Sequence, residues 1–131
     1  MTAFETRQVP ARPDASAPDG SEIRLVSTAL AGGSMVLCSL PPGAVTRAVC
    51  HRTVEEMWHC IAGRGRLWRK LGDSEEIVDL RPGVGAGIPL NARFQFRNDG
   101  PDTLQLVIAT VPPWPGEDEA VACDGPWEPT P

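Results

Sequence analysis

Apolar and polar residues alternate in short runs along the middle of the chain, and each run stops at a cluster of glycine, proline, asparagine or aspartate. The runs predict strands over residues 23–27, 34–40, 46–51, 56–62, 66–71, 76–80, 86–89, 93–97 and 104–111. Pro41-Pro42-Gly43, Arg81-Pro82-Gly83 and Asn98-Asp99-Gly100-Pro101 are turn signals, because proline presets φ and glycine tolerates positive φ. No segment keeps a 3.6-residue period over three turns. Many short strands separated by turns predict an all-β sandwich or barrel, and periodicity alone does not choose between the two.

The flanks read differently. Residues 10–20 (PARPDASAPDG) form an irregular stretch, so an N-terminal arm is expected over residues 1–22. From Pro112 onward the chain is proline-rich and acidic, which predicts an extended tail over residues 112–131, pinned to the body by Trp114 and Trp127. One barrel or sandwich domain is left over residues 23–111. The 131 residues are enough for a single hydrophobic core.

Charge and composition narrow the partners. A formal net charge of -5 argues against nucleic acid and against anionic membrane surfaces. Arg64, Arg66, Arg69 and Lys70 are read as a solvated strand face. No stretch approaches the roughly 20 apolar residues of a membrane span, and the first residues do not look like a signal peptide, so a cytoplasmic location is expected. Cys38, Cys50, Cys60 and Cys123 contain no CxxC pair, which argues for reduced thiols rather than a zinc knuckle. Thirteen glycines and fourteen prolines fit strands joined by turns.

Two glycine-led segments carry the chemistry: GAVTRAVCHRTVEEMWHCIAG from Gly43 to Gly63, and GVGAGIPLNARFQFRN from Gly83 to Asn98. They resemble the two signature motifs of the cupin superfamily. Gly43, His51, Glu56 and Gly63 fall on the spacing of the first motif, and Gly83, Pro89 and Asn98 on that of the second. Val49 and Phe94 stand where the motifs carry ligand histidines, and Asn91 stands where the second carries glycine. The resemblance spans roughly residues 34–111 and extends to a widespread group of small bacterial cupins. It implies a single-domain double-stranded β-helix, the jelly-roll barrel, around a cavity for a small organic molecule. It also implies a homodimer, formed through an outer sheet face such as that of Met57, His59 and Ile61. In the family, three histidines and a glutamate hold iron, manganese, zinc or nickel. Here only His51 and Glu56 remain of that set.

Strand parity then assigns the walls. Trp58 and Cys60 share the face of Glu56 and are expected beside it, as are Phe94 and Phe96 from a second strand. Arg93 would reach a ligand carboxylate or phosphate only if a bulge turned it inward. Three readings follow. The first is a metal-independent isomerase, cyclase or lyase, with His51 as base and Glu56 as acid or orienting group. The second is a metal-dependent, dioxygenase-like enzyme with a rearranged site at His51 and Glu56. The third is a non-catalytic ligand-binding or sensing module.

Overall fold

The computed structural model describes residues 4–130. Residues 1–3 and 131, the outermost parts of the expected arm and tail, lie outside the described residues. The strands are β1 (Ala15–Ser16), β2 (Glu22–Ser27), β3 (Ser34–Leu40), β4 (Val49–His51), β5 (Glu55–Ala62), β6 (Gly65–Leu71), β7 (Ser74–Leu80), β8 (Gly85–Ile88), β9 (Arg93–Asn98), β10 (Leu104–Val111) and β11 (Ala120–Ala122). A short 3-10 turn, Glu117–Glu119, precedes β11. Among the described residues no helix is long and apolar enough to cross a membrane.

The strands form two antiparallel sheets, ordered β1-β2-β3-β10-β5-β8 and β11-β4-β9-β6-β7. Neighbours in the first sheet come from opposite ends of the chain: β10 pairs with both β3 and β5. This is the jelly-roll arrangement. Side chains alternate as the pleat requires. Along β5, Glu56, Trp58 and Cys60 are buried while Glu55, Met57, His59 and Ile61 are exposed. Leu67, Leu80, Phe96, Leu104 and Leu106 meet between the sheets, essentially without solvent access. Burying each such side chain contributes on the order of 2 kcal/mol.

The motif glycines act through their backbone. Gly43, Gly63 and Gly83 all have positive φ, the region open to glycine. Asn91 takes the family glycine position with φ 69°. Asparagine is among the few residues that enter this region at small cost, so the turn survives the exchange. Asn98 holds a corner: its Nδ2 donates to the carbonyls of Leu40 and Asp102, and its Oδ1 accepts from the Gly100 amide.

Both ends of the chain add to the barrel. The arm contributes β1, paired with β2. The tail contributes β11, paired with β4. Residues 46–48, expected as strand, lie outside β4: they bond to Phe96, Asp19 and Cys123 instead of forming a continuous ladder. Trp127 packs under the guanidinium groups of Arg66 and Arg97, 5.5 and 5.4 Å from its ring centre. Glu119 clamps the tail. Its carboxylate accepts from the Thr53 hydroxyl (2.5 Å) and from the amides of Thr53 (2.6 Å) and Val54 (3.0 Å). Burial acts to raise its pKa, but these hydrogen bonds outweigh it and hold the carboxyl below the usual range. Glu119→Ala leaves buried donors without a partner, so a loss of about 2 kcal/mol is expected. Urea unfolding reads that loss, and faster hydrogen exchange of the Cys123 amide, which donates to the Ala48 carbonyl, reads detachment of β11. Unchanged exchange would show that other contacts hold the tail.

Candidate functional site

A cavity of about 310 Å³ lies between the sheets, beside His51 and Glu56. That volume is at the small end of the range for ligand pockets, about 300–1,000 Å³. Strand β4 brings His51 into its wall, β5 brings Glu56 and Trp58, β9 brings Phe94 and Phe96, and β10 brings Ile108 and Thr110. The arm adds Asp19 and Ser21, and the tail adds Trp114.

Glu56 is buried, and both its oxygens have partners. Oε1 accepts from Trp58 Nε1 (3.0 Å) and Oε2 accepts from Thr110 Oγ1 (3.0 Å). Burial pushes its carboxyl up to about 7, against these two hydrogen bonds and with help from the charges of Asp19 and Glu119. Indole N–H can only donate. Oε1 therefore stays an acceptor in both charge states, and a proton on this carboxyl sits on Oε2, against a hydroxyl free to reverse its hydrogen bond.

His51 is 4 % exposed, and its Nδ1 has no hydrogen-bond partner. Its ring meets Phe94 and Trp114 edge-on, at 5.0 and 5.2 Å between centroids. Burial pulls its pKa down to about 4, against the charge of Glu119. The imidazole is thus neutral at pH 7. Asp19 Oδ1 accepts from the amide and hydroxyl of Ser21, at 2.9 and 2.7 Å. Burial pushes this carboxyl up as well, against the Ser21 hydrogen bonds and the charge of Arg47.

Five of the seven residues singled out in the sequence share this cavity: His51, Glu56, Trp58, Phe94 and Phe96. Cys60 and Arg93 do not. Cys60 is fully buried away from the cavity wall, its thiol directed to the Ala62 carbonyl at 3.6 Å. Arg93 is exposed, because β9 runs in register against β4 and β6 with no bulge at this position, and alternation sends Arg93 outward when Phe94 points in. Asp19, Thr110 and Trp114 are among the wall residues that were not foreseen as site residues. Thr110 was findable, since it shares the parity of Leu106 and Ile108. Nothing local marks Asp19.

The site does not fit a transition metal. Val49 and Phe94, at the positions of two motif histidines, face each other as register partners and close that side with hydrocarbon. Among the described residues no three His, Cys, Asp or Glu side chains gather with ligand geometry. The carboxylate of Glu56 is already engaged twice.

No protein-family model and no curated protein sequence matches the chain. Solved structures do match, at low identity. The cupin domain of Schizosaccharomyces pombe Cnp3 superposes with a TM-score of 0.63 at 9% identity, over 70% of this chain and 61% of that one. Bacillus subtilis oxalate decarboxylase, a protein with Mn(II) centres, gives 0.65 at 17% identity, over 85% and 29%. The capsular polysaccharide assembling protein CapF of Staphylococcus aureus gives 0.68 at 14% identity, over 90% and 34%. The chain therefore spans under two thirds of each of these longer chains. By fold it is a cupin. Neighbours of this fold include an enzyme, oxalate decarboxylase, and a capsular polysaccharide assembling protein, so the fold attaches no particular activity.

Proposed function

We propose that the protein is a metal-independent cupin enzyme that moves a proton on a small, largely apolar molecule, in the manner of an isomerase, cyclase or lyase. One observation carries the reading: Glu56 is a buried carboxyl on the cavity wall, poised near neutrality. General acid–base catalysis is most effective when the pKa of the group lies near the working pH. Glu56 Oε2 takes the proton and returns it, and Thr110 shares it. His51, neutral at pH 7, orients the substrate through a ring nitrogen instead of acting as the base. The aromatic walls exclude water. Proton transfer of this kind adds and removes no electrons, so it suits a donor set without a metal.

A second reading has its own support. Both oxygens of Glu56 are satisfied within the protein, which suits a binding module without turnover. Incubation with a metabolite extract, followed by mass spectrometry, separates the two. A product whose formation falls about 100-fold or more in Glu56→Gln supports the enzyme. Undiminished turnover in that variant removes Glu56 from the mechanism, and ligand depletion without product supports the module.

The expected homodimer is kept as part of this proposal. Met57 and Ile61 on β5, Val111 on β10 and Met35 on β3 leave an apolar strip on the outer face of one sheet. The expected compartment is the cytoplasm, in keeping with four free thiols.

A further inference from the structure

The charges of the cavity are one-sided. Asp19 and Glu56 line its interior and Glu117 its exposed rim, while no lysine or arginine lines it among the described residues. Arg47, whose charge acts on Asp19, is exposed, and its Nη1 donates to the Pro18 carbonyl at 3.2 Å, outside the lining. Glu119 adds negative charge behind His51 and Glu56. An anionic ligand would meet no cation here. Four aromatic rings, those of Trp58, Phe94, Phe96 and Trp114, form much of the remaining wall. Aromatic faces attract cations by about 0.5–2 kcal/mol each, the upper end when water is excluded.

An ammonium group answers both features. It has donors and no acceptor, so it matches the carboxylates. Its charge matches the wall, and its desolvation is offset by carboxylate and ring together.

We infer that the ligand of this cavity is a small organic cation, a protonated amine on an apolar body. The inference rests on the proposed small-molecule role of the same cavity and names the chemical class that fits it. It has a further consequence. Burial favours the neutral form of both Glu56 and Asp19. An arriving ammonium draws them to the carboxylate form, so uptake near pH 6 releases protons and the affinity rises toward pH 8. A neutral ligand has no such linkage. The groups facing Glu56 that share in it are Asp19 and Glu119 by charge and Thr110 and Trp58 by hydrogen bond, and Arg47 faces Asp19.

Calorimetric titration of the full chain with phenethylamine, 2-phenylethanol and 3-phenylpropionate tests it. The expected result is that phenethylamine binds about tenfold or more tighter than the alcohol, corresponding to about 1.4 kcal/mol, with no binding of the carboxylate. The amine's lead should grow from pH 6 to pH 8 and shrink in Glu56→Gln, with Asp19→Asn as a second variant in the same sense. Alcohol binding as tight as the amine's, or a preference for phenylpropionate, overturns the cation while leaving the proposed enzyme or module standing. Absence of binding by all three also overturns the cation. The enzyme reading fails separately, by turnover that Glu56→Gln leaves intact.

Discussion

Glu56→Gln is expected to stabilise the protein by roughly 3 kcal/mol at pH 8 and to change little at pH 4. The carboxyl is pushed up by burial from an ordinary 4.5 to about 7. A group raised in the folded state gives its full contribution below its unfolded pKa and loses it as pH rises through the folded one. Stability from Glu56 is therefore complete below about 4.5 and gone above about 7. Glutamine removes the charge and keeps the geometry: its oxygen accepts from Trp58, and its amide donates to the Thr110 hydroxyl. His51 slopes the other way. Burial lowers it from 6.5 to about 4, so its contribution is present above 6.5 and lost as pH falls through 4. The two oppose each other between pH 4.5 and 6.5, so the native protein should lose stability there only by the share of Asp19. In Glu56→Gln the histidine slope stands exposed, reduced by Asp19, whose raised carboxyl acts in the same sense as Glu56. Urea midpoints across pH 4–8 measure all of this. A variant less stable than the native protein at pH 8 would mean that the buried carboxylate is well accommodated, and would remove the basis for a proton-transferring Glu56.

Gly65→Ala should cost about 3 kcal/mol or more, the upper range for overpacking. A Cβ on Gly65 would overlap the Arg97 carbonyl oxygen and press on Leu104 Cδ2 at 3.1 Å. The clash involves backbone, so no side-chain movement relieves it. Strand β6 would have to part from β9 at the first of the pairs that run from Gly65 to Lys70. Gly87→Ala is the control. It also lies within a strand, with nothing within 4 Å of the added methyl, and should stay within about 0.5 kcal/mol of the native protein. Equal thermal midpoints for the two variants would refute the argument.

Most of the barrel could be read from the chain because its signal is local. In β5 and β10, burial follows the written alternation residue by residue. The expected strands over residues 34–40 and 104–111 coincide with β3 and β10. The elements that escaped notice depend on distant partners. β1 and β11 are very short and exist because a neighbour pairs with them. β11 follows from Glu119 capturing the amides of Thr53 and Val54, 65 residues or more away, which no pattern around residue 119 announces. The site divides along the same line. His51, Glu56, Trp58, Phe94 and Phe96 were placed by motif spacing and parity. Arg93 shows the limit of allowing for a bulge that the ladder does not contain, and Cys60 shows that a shared strand face does not ensure a shared cavity. Asp19 and Trp114 reach the wall through the path of the arm and the tail, which only tertiary contact determines.

That route has an evolutionary implication. The acid, the imidazole and most of the rings sit on strands whose sequence is constrained by core packing. Asp19 and Trp114 lie outside those strands, on stretches held by backbone pairing and a few clamps. Selection on folding and on recognition therefore coincide on the core strands, and only the share of ligand preference carried by Asp19 and Trp114 can drift by exchange of the ends while the scaffold is inherited intact.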